Sequence, residues 1–403
     1  MQRRDFLKAT TLGALAISAA GYPMPINALP SRRQNVLFIA VDDLKPLIGA
    51  FGATHVHTPH MDRLATRGMI FENNHCQQAI CGPSRASLMT GLRPDTTKVW
   101  DLRTPMRRII PDVVTLPQQF MAHGYTTTAT GKIYDGRCVD HGHGWVSQDT
   151  PSWSSPARKV GGTRYALLRS ENNLRPTTEC ADVLDEGYKD YHSASNGIEI
   201  MSKCAAAGAP WFVGVGFNLP HLPFAAPKKY WDLYDPATIE INPVQQRPEG
   251  TPFFVRQNSG ELRSYSDAPK RGPIPVDFQR RLIHGYYASV SFADAQVGRL
   301  LDHLDHLGET DNTIVCLWGD HGWHLGDHGM FCKHTNYEQA TRSPLILAAP
   351  GTCPEGASTA APTEFVDIYP TLCDLSGIKL RPELEGTSLV PLMGGPAGTA
   401  RRT

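Results

Sequence analysis

Four continuous apolar runs stand out from an otherwise mixed pattern of hydrophobic and polar positions. Asn35-Val36-Leu37-Phe38-Ile39-Ala40-Val41 is closed by Asp42-Asp43. Trp211 to Phe217 is closed by Asn218-Leu219-Pro220-His221, and Thr313 to Trp318 by Gly319-Asp320-His321. Pro344 to Ala348 is the fourth. Short apolar runs bounded by turn residues predict strands buried on both faces. A further strand, Tyr125 to Thr130, runs into Gly131-Lys132. Helical stretches lie between them. Thr58 is placed to cap a helix whose first turn holds Pro59. Leu116 to His123 stops at Gly124, Phe278 to Leu307 at Gly308, and Phe365 to Leu375 shortly before Gly377. The alternation predicts an α/β fold with a mostly parallel central sheet and helices on both faces. Ligands of such sheets sit beyond the carboxyl ends of the strands. Asp42-Asp43, the His221 turn and Asp320-His321 all fall there. Residues 147–200 and 235–275, rich in Pro, Ser, Gly and charge, are expected to be long surface excursions.

Composition narrows the classes. The 403 residues are 41% hydrophobic and 19% charged, enough to bury a large core. The 39 basic residues balance the 39 acidic ones with no like-charge run, so nothing points to nucleic acid or a membrane surface. Nine scattered cysteines form no C-x-x-C pair, which argues against a zinc framework. Arg3-Arg4-Asp5-Phe6-Leu7-Lys8, the apolar stretch Leu12 to Ala20 and Ser18-Ala19-Ala20 predict a twin-arginine-type signal over residues 1–31. The mature domain is then 32–403 and the location periplasmic or secreted. The apolar stretch is well short of the ~20 residues a spanning helix needs, so stable membrane insertion is not expected.

The candidate chemistry gathers around Cys81-Gly82-Pro83-Ser84-Arg85. A cysteine at a helix start beside Arg85 sits in a positive field, which suits attack on an anionic ester. Asp42, Asp43, Asp320 and His321 can converge with position 81 from the ends of two strands. Hard oxygen ligands of that kind suit Ca²⁺ or Mg²⁺. Arg85, Lys132 and Lys333 are fixed cations able to bind an anion's oxygens, and His221 is a candidate proton donor.

Cys81-Gly82-Pro83-Ser84-Arg85 with the trailing Leu88-Met89-Thr90-Gly91 resembles the signature of the formylglycine-dependent (type I) sulfatases, in the alkaline-phosphatase-like superfamily. The resemblance runs through Gly131-Lys132-Ile133-Tyr134, Pro220-His221-Leu222-Pro223-Phe224, Gly272 to Arg280, Gly319-Asp320-His321-Gly322-Trp323 and Glu364 to Leu372. It is nearest to the branch of iduronate-2-sulfatase and its bacterial relatives. It implies that Cys81 is oxidised to formylglycine by a formylglycine-generating enzyme. It implies one Ca²⁺ held by Asp42, Asp43, Asp320, His321 and the oxidised residue 81. The hydrated aldehyde attacks sulfur and releases the alcohol. Lys333 corresponds to a lysine that contacts the sulfate. The implied substrate is a sulfated sugar or glycosaminoglycan fragment.

Two departures accompany the resemblance. Relatives follow Gly-Lys-Ile-Tyr with a histidine that helps expel sulfate; here Asp135 follows, and the replacement is either Asp135 itself as a base or one of His141 and His143. Relatives also carry a smaller C-terminal antiparallel-sheet domain, so a chain ending at Thr403 is expected to be truncated. The alternatives are a phosphodiesterase or phosphonate hydrolase of the same superfamily, and a truncated, catalytically impaired sulfatase remnant.

Overall fold

The computed structural model describes residues 33–167 and 175–394. The predicted signal segment and the C-terminal tail from Gly395 lie outside them. Seven strands form the central sheet: β1 (Asn35–Val41), β2 (Met69–Phe71), β3 (Thr126–Gly131), β4 (Trp211–Phe217), β5 (Thr313–Gly319), β6 (Leu345–Ala348) and β7 (Ala357–Thr359). Their order is β7-β2-β6-β5-β1-β4-β3. β5, β1, β4 and β3 are mutually parallel, and β6 is antiparallel to both its neighbours.

The sheet is covered on both sides, as the unbroken apolar runs require. Leu37, Ile39 and Val41 face a core built with α1 (Pro59–Thr66), α4 (Lys189–Ala207) and α5 (Val276–His306). Val36, Phe38 and Ala40 face the opposite core, built with α2 (Cys81–Thr90), α3 (Leu116–Ala122) and α6 (Ile368–Leu375). The fold class is the one expected. Among the described residues no helix is long and apolar enough to cross a membrane, and all nine cysteines are free.

Three local expectations need correction. Residues 147–200 are not only surface excursion, because α4 takes its first residues from the end of that stretch and buries Ala194 and Met201 against the sheet. Polar residues at other buried positions of α4, Asp190, Ser193 and Asn196, hide its apolar stripe. Residues 235–275 are mostly irregular, yet Leu262 and Tyr265 are buried. Thr58 precedes α1 but does not cap it; its hydroxyl accepts from the Gly49 amide at 2.9 Å.

The amides at the start of α1 are taken instead by Asp294 of α5, at 3.2 Å from His60 N and 2.7 Å from Met61 N. Burial pushes the Asp294 carboxyl up to about 7, against the pull of those two amides. The folded chain therefore binds more protons than the unfolded one between the ordinary aspartate value and about 7, and stability falls as pH rises through that window. Asp294→Asn removes the titrating group but sets its NH₂ against one of the two amide N–H groups, so it should be less stable than the parent at pH 4. Its stability should then stay level to pH 8, while the parent loses as much as about 4 kcal/mol over the same span. Melting temperatures across that range check this; parallel curves for the two proteins would overturn it.

Candidate active site

The site is assembled at the carboxyl ends of the parallel strands. β1 and β5 are adjacent and in register, with Val41 opposite Gly319, so Asp42-Asp43 and Asp320-His321 emerge side by side. Asp43 turns the chain with a φ of 60°, a left-handed value that aspartate tolerates better than most residues. Its amide donates to Asp320 Oδ1 at 2.9 Å. Lys132 leaves the end of β3 through Gly131, whose φ is 76° and where a Cβ would lie 1.9 Å from the Gly216 carbonyl oxygen. Only glycine lets β3 and β4 close that tightly.

Cys81 is the first residue of α2, which lies on the sheet face opposite α5. Its Sγ lies 3.4 Å from His321 Nε2 and 3.9 Å from Asp43 Oδ1. His321 Nε2 is itself 3.2 Å from Asp43 Oδ1. Ligand atoms of Asp43, Cys81, Asp320 and His321 lie within 4.8 Å of one another, as do those of Asp42, Asp43, Cys81 and His221. All five expected metal ligands thus fall into two overlapping groups that share Asp43 and Cys81, with His221 as an added member.

The cations lie around these acids. Lys132 Nζ donates to both Asp42 oxygens at 2.8 and 2.6 Å. Lys333 Nζ bridges the Asp43 carboxylate, at 2.9 and 2.8 Å, and Glu261 Oε2 at 2.9 Å. His221 Nδ1 donates to the Leu222 carbonyl at 2.6 Å. Its Nε2 faces Glu261 Oε1 at 2.9 Å and Asp43 Oδ2 at 3.9 Å. Burial pulls the His221 imidazolium down, but the Asp43 and Glu261 carboxylates carry it above the ordinary histidine value. A His221 protonated in this way is a proton donor.

Two expectations change here. Arg85 is fully buried beneath the acids and does not line the cavity. Its Nε donates to Asp320 at 2.9 Å and its Nη2 to Asp42 at 3.1 Å, while Nη1 is taken by the Lys132 and Ile133 carbonyls. It orients two candidate ligands and is not free to grip a substrate anion. The field at Cys81 is also not what helix start and Arg85 suggest. Burial drives the thiol well above its usual range, the Asp42 and Asp320 carboxylates add to that, and Lys132 and Lys333 only oppose it. An unmodified thiol here is a poor nucleophile.

His141 and His143 are exposed and do not line the cavity. Asp135 is buried and held by Arg137, at 2.8 Å to Nε and 2.7 Å to Nη2, with Lys132 at 3.8 Å. Burial opposes its charge, but Arg137 and Lys132 keep it below the usual carboxylate range.

Above these groups opens a cavity of about 330 Å³, floored by Cys81, Lys132, His221, Glu261 and Lys333. Arg137, Trp145, Arg164, Arg175 and Tyr265 contribute to its walls. Glu261, which ties His221 to Lys333, escapes the sequence reading. It is a single acid in a polar stretch, and the only hint is buried Leu262 beside it.

The sulfatase family model matches residues 34–378. The chain belongs to the sulfatase family. Over 389 residues it is 36% identical to iduronate 2-sulfatase of Homo sapiens, covering 86% of this chain and 70% of that protein. Over 391 residues it is 34% identical to a sulfatase of Formosa agariphila, covering 90% and 73%. In fold it is similar to the phosphonate monoester hydrolase of Agrobacterium radiobacter, with a TM-score of 0.73, 23% identity, and 92% and 79% covered. This sulfatase is a sulfuric ester hydrolase, and the site described above lies within the matched residues.

Proposed function

We propose that this sulfatase hydrolyses sulfate esters of a sulfated saccharide through a formylglycine made from Cys81, with one calcium ion beside it. The observation that carries the reading is the meeting of Cys81 Sγ with His321 and Asp43 at 3.4 and 3.9 Å, with Lys132 and Lys333 on the same cavity floor.

The donor set fits a hard divalent cation. Three buried carboxylates and an imidazole converge, a donor set of the kind that hard divalent cations take. Burial lifts the Asp43 carboxyl above the usual range even with Lys333, His221 and His321 beside it, so one further positive charge would stabilise it. Asp42, Asp43, Asp320, His321 and residue 81 would hold the ion, which supplies charge to lower the cost of developing anions. The hydrated aldehyde supplies the attacking oxygen that the buried thiol does not.

The remaining roles belong to the chain's own side chains. Lys132 and Lys333 present ammonium groups to the sulfate oxygens and stabilise charge as the S–O bond breaks. His221, held protonated by Asp43 and Glu261, gives its Nε2 proton to the departing alkoxide. Arg85 positions Asp42 and Asp320. A saccharide substrate is supported by the iduronate 2-sulfatase likeness and by a cavity lined with charged side chains, Trp145 and Tyr265. Residues 32–403 form the catalytic domain in this reading, exported by a twin-arginine signal after a formylglycine-generating enzyme has acted.

Co-expression with such an enzyme, peptide mass mapping at residue 81, and assays of sulfate esters beside phosphate diesters test this. The expected result is an aldehyde at position 81 and sulfate release. Full turnover with an unmodified thiol, or faster cleavage of the diesters, sinks the reading.

A further inference from the structure

His221 and Lys333 both have work to do on a sulfate ester, yet in the folded chain one carboxylate already holds the two of them. Glu261 sets Oε1 2.9 Å from His221 Nε2 and Oε2 2.9 Å from Lys333 Nζ. The other ring nitrogen of His221 donates to the Leu222 carbonyl at 2.6 Å, and Lys333 Nζ also donates to both Asp43 oxygens. Nε2, the atom whose proton goes to the departing alkoxide, therefore faces Glu261. Burial opposes the charge of Glu261, but Lys333 and His221 hold its carboxyl well below the usual range, so it is an anion.

The backbone that carries Glu261 is anchored. It belongs to a single helical turn, Gly260–Arg263. Leu262 is fully buried on one side of that turn. The Arg263 guanidinium donates to the carbonyls of Asn258, Pro269 and Gly272, each at 2.7 Å. The Glu261 side chain is freer. It is 22% exposed, and it lines the cavity of about 330 Å³ together with Ser264 and Tyr265. Rotation about its own side-chain bonds is enough to carry the carboxylate away from His221 and Lys333, with no movement of the main chain.

A sulfate ester seated on Lys333 and His221 would press its oxygens against those of Glu261. Two anions in contact repel strongly where water is scarce, so one must give way. The exchange is even in charge. One carboxylate leaves, one sulfate monoester arrives, and His221 keeps an anion beside it and its proton. We propose that Glu261 is an internal competitor of the substrate: its carboxylate holds His221 and Lys333 until a sulfate ester displaces it, and it returns as inorganic sulfate leaves. This rests on the roles given above to His221 and Lys333. The grip of Glu261 is charge-assisted at both oxygens. Apparent affinity for an anion at this place is then the intrinsic affinity reduced to the fraction of molecules in which Glu261 has swung aside.

Glu261→Gln and Glu261→Ala test the proposal on the calcium-loaded enzyme with residue 81 oxidised. Both variants remove the competing charge. Calorimetric titration with inorganic sulfate should give a Kd lower than the parent's by on the order of tenfold. KM for a sulfate ester should fall in step, while kcat stays level or drops because the product leaves more slowly. A carboxylate that only held His221 in place, or only anchored the sugar, would give the opposite: larger KM and no gain in sulfate affinity. Sulfate binding equal to or weaker than the parent's overturns the proposal. Glu261→Gln is nearly isosteric and decides the matter alone if the alanine variant does not fold. A protein that turns over no sulfate ester, yet binds inorganic sulfate more tightly in the variants, removes the proposed reaction and keeps the competition.

Discussion

Cys81→Ala abolishes sulfate release and leaves the chain folded: that is the expected result, and the largest effect foreseen. The variant lacks the thiol whose oxidation yields the aldehyde. Deleting a nucleophile that acts in concert with its neighbours costs on the order of 10⁵-fold or more in turnover. The fold should tolerate the change. Cys81 opens α2, and its thiol makes only the long contacts to His321 and Asp43. Truncation leaves a gap of one sulfur atom, worth about 1 kcal/mol. Sulfate release and thermal melting, measured on the same preparation, check both halves. Residual turnover close to that of the parent would show that another group attacks sulfur.

Asp43→Asn should be nearly as damaging, by a different route. The carboxylate belongs to both groups of converging ligand atoms and receives Lys333 on its two oxygens. An amide keeps the shape but removes the charge, and its NH₂ meets the Lys333 ammonium as donor against donor. Loss of one anionic ligand should weaken calcium binding strongly and lower turnover by on the order of 10³-fold. Melting curves give a readout without catalysis. A ligand that binds the folded state at 100 times its Kd adds about 2.7 kcal/mol, so calcium should raise the parent's melting temperature. The variant should show no such rise, and the parent treated with a chelator should behave like it. A calcium-dependent rise of equal size in Asp43→Asn would remove this residue from the ligand set.

The fold was legible wherever burial on both faces wrote an unbroken apolar run. β1 and β4 have the boundaries predicted for them, and β5 differs by one residue. The acids and His321 were legible for the same reason, because they follow those runs directly. Arg85 shows where neighbourhood in sequence misleads. It lies one helical turn from Cys81, yet its guanidinium reaches down to Asp320 and Asp42, a direction only the tertiary structure decides. Asp135 is one of two candidates in the sequence for the missing base, but Arg137, two residues on, already fastens it. Glu261, Arg164 and Arg175 come from segments without periodicity. Their convergence depends on how long irregular stretches fold over the sheet, and nothing local encodes that.

β1 serves two masters, since its odd-numbered positions from Leu37 to Val41 fill one core and its even-numbered ones from Val36 to Ala40 fill the other. Inserting or deleting one residue inside it would exchange the two sets and rotate Asp42 and Asp43 onto each other's sides. The strand is thus a counting device whose parity the candidate ligand acids Asp42 and Asp43 inherit. Descendants of this gene should accept length changes in the stretches that overlie the sheet and refuse them in these seven residues.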